Sequence, residues 1–84
     1  MNLKIFVQDQ CPNCPSAKEM GKKLEGEGVD VSYHDIKSIE GLSEAVLFGV
    51  MTTPSMIITG EDGEEIHSWK GDVPDIDEVK KKLA

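Results

Sequence analysis

The two cysteines of this 84-residue chain lie two residues apart, between a segment with strand character and a segment with helical character. The sequence Cys11-Pro12-Asn13-Cys14 follows an apolar run at residues 3–7 and precedes a Lys/Glu-rich segment with helical spacing. Two residues between cysteines, bent into a first helical turn, bring the sulfurs close enough to form and break one disulfide. The pair therefore predicts a reversible dithiol at the start of the first helix.

The position of the pair also predicts different roles for its two members. Unpaired N–H groups and the positive end of the helix dipole stabilise a thiolate at a helix N-terminus. Cys11, nearer to solvent and to this dipole, is predicted to attack a partner's disulfide, and Cys14 to resolve the mixed disulfide that results. Pro12 suits the first helical position. Asp9 opposes a thiolate at Cys11, and residues 8–10 include no basic side chain to offset it.

Length, charge and cysteine content limit the function classes. A chain of 84 residues predicts one domain, spanning 1–84. Sixteen acidic against nine basic residues give a net charge of −7, which argues against nucleic acid and anionic membranes as partners. A first strand follows Met1 directly, without a signal peptide, so the expected compartment is the cytoplasm. There a lone cysteine pair is more often metal-binding or catalytic than structural.

Hydrophobic periodicity predicts an α/β chain in the order βαβαββα. The predicted strands are residues 3–8, 29–36, 55–59 and 64–69, and the predicted helices are residues 16–25, 38–48 and 74–83. The first strand is a nearly continuous apolar run, which is typical of a strand buried on both faces. The turn at 60–63 predicts an antiparallel hairpin, and the opening βαβ unit predicts a parallel pair.

The second predicted helix carries most of its apolar residues on one side and ends at Gly49. That side consists of Ile39, Leu42, Ala45, Val46 and Leu47. With helices on both faces, the sheet is predicted to be buried.

This order, with C-x-x-C at the first strand-to-helix junction and a Thr-Pro before the third strand, resembles the thioredoxin superfamily in its small, glutaredoxin-sized form. Cys11-Pro12-Asn13-Cys14 resembles the C-P-x-C motif of glutaredoxins and of small glutaredoxin-like thioredoxins. Residues 50–55, Val-Met-Thr-Thr-Pro-Ser, resemble the family segment that ends in a cis-proline. The resemblance implies a thioredoxin fold, with a four-stranded mixed sheet flanked by three helices.

Carried over residue by residue, the resemblance implies a catalytic pair that forms a redox-active disulfide, with Cys11 as nucleophile and Cys14 as resolving thiol. It also implies a cis bond before Pro54, which would turn the backbone of Thr53 outward to pair with a substrate peptide. Met51 is predicted to lie at the edge of the groove in which the substrate peptide would bind. The implied substrate-binding residues are Pro12, Asn13, Thr53 and Pro54, and no metal ligand is implied.

The implied activity is dithiol–disulfide oxidoreduction on protein disulfides, by a monomer with no bound cofactor that is reduced by a thioredoxin reductase or by glutathione. Ribonucleotide reductase is one substrate that the resemblance implies. A glutathione-dependent glutaredoxin is the alternative. Glutaredoxins usually have a basic residue before the motif and a Gly-Gly plus acidic residue after the hairpin, whereas residues 69–72 read Trp-Lys-Gly-Asp. Larger thioredoxins have a buried acid and an aromatic residue where Ile5 and Gln10 stand here.

Two alternatives come from other classes. Small copper-carrying domains also place C-x-x-C after a first strand. They usually have methionine where Asp9 stands, and their βαββαβ order does not fit residues 38–49. A binding module with vestigial cysteines is the second alternative. His34 and His67 lack the spacing of zinc ligands and are predicted to be surface or hairpin residues. Trp69 and Tyr33 are predicted to be packing residues.

Overall fold

The computed structural model describes residues 1–83 as four strands and three helices in the predicted order. The strands are β1 (Asn2–Val7), β2 (Asp30–Asp35), β3 (Ser55–Thr59) and β4 (Glu65–Lys70). The helices are α1 (Cys14–Gly26), α2 (Ile39–Leu47) and α3 (Ile76–Leu83). The predicted α/β fold class is confirmed.

The four strands form one mixed sheet in the order β2-β1-β3-β4. β1 runs parallel to β2 and antiparallel to β3, and β3 pairs antiparallel with β4 as the predicted hairpin. Every residue of β3 is buried, and in β1 only Asn2 and Lys4 are partly exposed. The apolar run at residues 3–7 is therefore a central strand covered on both faces, as predicted.

The sheet carries a large core on one face and a small core on the other. The large core joins β1, β3 and Trp69 to side chains from α1 and α3. The small core lies under α2. The residues of the large core are Leu3, Ile5, Val7, Cys14, Ala17, Leu24, Met56, Ile58, Trp69 and Val79, and those of the small core are Phe6, Ala45, Val50 and Ile57. Because Cys14 belongs to the large core, one cysteine of the dithiol is anchored in that core.

Helix α1 approaches the sheet closely at Gly21, so a larger residue there would require neighbouring side chains to shift. A Cβ atom there would lie 2.7 Å from both Ile5 Cδ1 and the Tyr33 hydroxyl oxygen. Tyr33 itself is 39% exposed, but its hydroxyl donates a hydrogen bond to Glu25 Oε1 at 2.5 Å. Burial and this carboxylate raise the pKa of Tyr33 to about 12. Tyr33 belongs to neither core, and its hydrogen bond joins the edge strand β2 to α1.

Helix α2 does not turn its apolar side to the sheet, and this differs from what its sequence pattern indicates. Of the five apolar residues predicted to share a side, only Ala45 is buried. The other four are exposed by between 53% and 86%: Ile39, Leu42, Val46 and Leu47. The small residues Gly41 and Ala45 face the core instead.

The start of α2 explains this orientation. The Ser38 hydroxyl donates to the Asp35 carbonyl oxygen at 2.7 Å and accepts from the Gly41 N–H at 2.9 Å. This N-cap fixes the first turn directly against the end of β2. A Cβ on Gly41 would collide with the Asp35 carbonyl, so the close approach requires glycine. The side with the least bulk is therefore the side that packs, and the larger apolar residues point away.

His34, on β2, is held in an environment that disfavours its charged form. Its ring stacks on Phe6 with 5.1 Å between centroids, and its Nε2 lies 3.0 Å from Ser32 Oγ. Burial, and then the charge of Lys4, lower the pKa of His34 below its usual value of 6.5.

We expect this residue to make folding stability depend on pH. Below about pH 6.5 the unfolded chain binds a proton at His34 more readily than the folded chain, so stability falls as pH decreases through that range. Urea denaturation between pH 7.5 and 6 should show a falling free energy of unfolding in the wild type and a flatter profile in His34→Gln. An equal slope in both proteins would show that His34 is not the group responsible.

Candidate active site

Helix α1 begins at Cys14, with Asn13 as its N-cap and Pro15 in its first turn. The prediction that Pro12 occupies the first helical position is therefore wrong, because Pro12 lies in the turn before the helix. The Cys14 N–H donates to the Cys11 carbonyl oxygen at 3.3 Å, which closes residues 11–14 as one tight turn. The helix thus starts at the second cysteine, and Cys11 stands just outside it.

Cys11 and Cys14 are joined as a disulfide, with 5.3 Å between their Cα atoms. The two cysteines differ in burial. Cys14 is 3% exposed within the large core, whereas Cys11 is only partly buried and packs against that core from outside. Cys11 is thus the more accessible member of the pair.

An open cavity of about 460 Å³ lies beside the disulfide. Residues 8–12 line one side of it, and the first turns of α1 contribute Cys14, Pro15 and Lys18. Gln10 has φ 59°, in the left-handed region that non-glycine residues seldom occupy, directly before Cys11. The chain therefore makes a sharp turn where it enters the dithiol.

Lys18 is a lining residue that the sequence analysis missed. Its side chain joins Cys11 and Asp9 in the lining of the cavity, so the site includes a cation as well as a carboxylate. The cation comes from the helix after the dithiol, whereas residues 8–10 before it include no basic side chain. The i, i+4 spacing of Cys14 and Lys18 could have revealed it, because residues four apart share a helix face.

The segment before β3 lies next to the segment that leads to the dithiol. The Thr53–Pro54 peptide bond is cis, as predicted. Gln8 Nε2 donates to Thr53 Oγ1 at 2.8 Å and so joins the wall of the cavity to this segment. The structure thereby brings Thr53 and Pro54 to the end of the sheet where the dithiol lies. No pattern in the sequence indicates the role of Gln8, because its partner is 45 positions away.

The remaining sequence candidates divide between this site and the core. Pro12 and Asn13 are exposed in the turn between the two cysteines. His34 and His67 lie outside the lining of the dithiol cavity, and the His67 ring contacts the edge of Trp69. Trp69 is 8% exposed, and its Nε1 donates to Glu78 Oε2 at 2.5 Å, which confirms its packing role.

Comparison with known proteins identifies the family. Residues 1–84 match the family model described as a thioredoxin domain. The chain belongs to the thioredoxin family. It is 30% identical over 64 residues to a thioredoxin of Methanocaldococcus jannaschii, an alignment that covers 73% of each chain. It is 29% identical over 82 residues to the SPbeta prophage-derived thioredoxin-like protein YosR of Bacillus subtilis, covering 96% of this chain and 99% of that protein.

Solved structures of thioredoxins share the fold. Thioredoxin 1 of Thermosipho africanus superposes with a TM-score of 0.70 at 25% identity, covering 99% of this chain and 90% of that one. A single-residue mutant of a thioredoxin from Halobacterium salinarum superposes with a TM-score of 0.81 at 23% identity, covering 95% of this chain and 68% of that one. The predicted thioredoxin fold is confirmed.

Family membership and the disulfide between Cys11 and Cys14 together show that this thioredoxin-family protein is a dithiol–disulfide oxidoreductase. The named relatives are thioredoxins, which does not favour the glutaredoxin alternative. The copper-carrier alternative is wrong, because the order βαβαββα is not that of those domains. No helix within residues 1–83 has the length and apolar character needed to cross a membrane.

Proposed function

We propose that this protein reduces disulfides of other proteins, with Cys11 as the nucleophile and Cys14 as the resolving thiol, and that a thioredoxin reductase restores the dithiol. The observation that carries this proposal is the unequal burial of the pair. A sulfur that attacks a protein disulfide has to be reached from outside, and Cys11 lines an open cavity. A resolving sulfur has to reach only Cys11, and Cys14 is 3% exposed beside it.

The proposed reaction proceeds by two thiol–disulfide exchanges. The Cys11 thiolate attacks one sulfur of the substrate disulfide, which breaks that disulfide, forms a mixed disulfide and releases one substrate thiolate. The Cys14 thiolate then attacks the Cys11 sulfur and releases the second substrate thiolate. The substrate gains two electrons and two protons, and the enzyme ends with the disulfide seen in the structure.

The proposed substrate contacts surround the dithiol. Pro12 and Asn13 are exposed in the turn between the cysteines, where they would flank the attacked sulfur. Thr53 precedes Ser55, the first residue of β3 that pairs with β1 and β4. Its backbone therefore lies outside the register of the sheet, which supports pairing of Thr53 and Pro54 with an extended substrate peptide.

Two features support a reductase rather than glutathione as the electron donor. Gly71 and Asp72 are the residues here that resemble part of the glutathione-binding motif of glutaredoxins. The Gly71 N–H donates a hydrogen bond to Ser55 Oγ at 3.1 Å. The Asp72 carboxylate accepts from the Val73 N–H at 2.9 Å. Both groups are thus engaged within the protein. We also propose that this protein acts as a monomer in the cytoplasm, where reducing equivalents are supplied. Its protein substrates would include one such as ribonucleotide reductase.

The test compares two electron donors on the oxidised protein. One arm uses NADPH with a thioredoxin reductase, and the other uses glutathione at matched reducing potential, each followed by mass spectrometry of the alkylated thiols. We expect fast reduction by the reductase and slow reduction by glutathione. Faster reduction by glutathione would overturn the proposed donor and would mean that residues 69–72 do form a glutathione site.

A further inference from the structure

A side-chain hydrogen bond joins the segment that enters the dithiol to the segment before β3. Gln8 Nε2 donates to Thr53 Oγ1 at 2.8 Å, and both residues are partly buried. Within the part of the chain that the structure describes, residues 1–83, this is the one side-chain hydrogen bond that involves residues 8–12. The bond is therefore the tie between these residues and the segment of Thr53.

This hydrogen bond lies just beyond the end of the backbone ladder between β1 and β3. The last pair of that ladder is Phe6 with Ser55. Two residues further in the same antiparallel register, Gln8 stands opposite Thr53. Pro54 has no N–H to donate, so the ladder cannot continue through it. The Gln8 side chain thus takes the place of a backbone contact. It binds the hydroxyl of Thr53 and not its backbone, which leaves the backbone for a substrate peptide.

Gln8 also lines the cavity beside the disulfide, together with Cys11. One side chain therefore borders the nucleophile and contacts the segment that would pair with a substrate. Residues 51–54 have no regular secondary structure of their own. A second side-chain hydrogen bond to this segment runs from Ser55 Oγ to the Thr52 carbonyl oxygen at 2.7 Å, and it stays within residues 52–55. It cannot fix the segment relative to Cys11, whereas the bond from Gln8 can.

We infer that Gln8 is a positioning residue, whose hydrogen bond holds Thr53 at the place from which a paired peptide presents its disulfide to the Cys11 sulfur. This inference rests on the proposed reduction of protein disulfides. The amide of Gln8 takes no part in the exchange of sulfurs, which needs only thiolates and a disulfide. It acts through Thr53 on the orientation of the reacting groups, and orientation contributes strongly to rate.

The chain supplies a matched pair of variants to test this inference. Gln8 and Gln10 both line the cavity beside the disulfide, and neither belongs to the two cores. Gln10 forms no side-chain hydrogen bond within residues 1–83, whereas Gln8 bonds to Thr53. The test variant is Gln8→Met, which keeps a similar length and removes the amide. The control is Gln10→Met, which makes the same chemical change two residues away.

Each protein is assayed on two disulfides. One is a synthetic peptide with an intramolecular disulfide and extended flanking residues, and the other is a small aromatic disulfide, dithiobis(nitrobenzoate), which has no peptide backbone. For the peptide, kcat/KM should fall about fivefold in Gln8→Met, the effect of losing one hydrogen bond, and should not change in Gln10→Met. For the small disulfide, Gln8→Met should show no comparable fall.

Two results would overturn the inference. If Gln10→Met lost as much activity on the peptide as Gln8→Met, the hydrogen bond would not be the cause. If Gln8→Met lost as much on the small disulfide as on the peptide, Gln8 would act on Cys11 itself and not on the docked peptide.

Thr53→Val breaks the same hydrogen bond from its other end and keeps the branched shape of the side chain. If the bond is what matters, the double variant Gln8→Met/Thr53→Val should lose no more kcat/KM on the peptide than Thr53→Val alone, because the two groups act as one unit. A loss in the double variant equal to the product of the two single losses would overturn the inference. A structural role of Gln8 unrelated to Thr53 would give that product.

The wild type separates failure of this inference from failure of the proposed function. If it reduces the small disulfide but not the peptide, the proposed function is wrong and the inference falls with it. If it reduces both, and Gln8→Met reduces the peptide as fast as the wild type does, the proposed function stands and only the positioning role of Gln8 is wrong.

Discussion

Cys14→Ser is expected to leave the protein covalently attached to its substrate, whereas Cys11→Ser is expected to abolish reduction of protein disulfides. Cys11 is the accessible member of the pair, and without its thiolate no mixed disulfide forms. Cys14 is buried beside it, and without its thiolate the mixed disulfide has no internal group to break it. Mass spectrometry under non-reducing conditions should show the enzyme–substrate adduct for Cys14→Ser only.

The double variant Cys11→Ser/Cys14→Ser controls for adducts that form without catalysis. It should give neither turnover nor adduct. If Cys14→Ser reduced protein disulfides as well as the wild type does, the dithiol mechanism would be wrong, and a route through Cys11 and glutathione alone would replace it. An adduct on Cys14 in Cys11→Ser, formed at a rate equal to that of Cys14→Ser, would contradict the assigned roles.

The fold could be predicted from the sequence because its elements have strong local patterns. Residues 3–7 are apolar except for Lys4, and the structure places them in the central strand β1. The turn at 60–63 joins two short strands, and they form the hairpin of β3 and β4. The C-x-x-C pair comes directly between a strand and a helix, and that junction locates the dithiol. Each of these predictions depends on neighbours in the sequence.

The features that the sequence did not reveal depend on contacts between distant residues or on the competition between packing arrangements. The hydrogen bond from Gln8 to Thr53 joins residues 45 positions apart, and no periodicity indicates it. The orientation of α2 depends on how close the helix can approach Asp35, which Gly41 permits and a larger residue would prevent. A periodic apolar pattern shows which residues share one side of a helix, but it does not show which side packs against the sheet. That is why the exposed side of α2 became visible only in the structure.

Truncation of Ile58, in the centre of β3, should strongly destabilise the fold. It is completely buried in the large core, and it pairs with Leu3 on β1 and His67 on β4. Ile58→Ala removes buried methyl groups and leaves a cavity, which costs about 2–5 kcal/mol. Since a domain of this kind is stable by about 5–15 kcal/mol, the loss should be a large part of the total. Urea or thermal denaturation followed by circular dichroism measures it.

Ile57 and Ile66 provide a second buried position and an exposed control for the Ile58→Ala measurement. Ile57 is also completely buried but belongs to the small core under α2. Ile57→Ala should therefore cost about 2–5 kcal/mol as well. Ile66 on β4 is 45% exposed, so Ile66→Ala should cost less than either. If Ile57→Ala cost no more than Ile66→Ala, α2 would not cover the sheet through Gly41 and Ala45, and its apolar side would be the side that packs. The same measurement thus decides which side of α2 packs against the sheet.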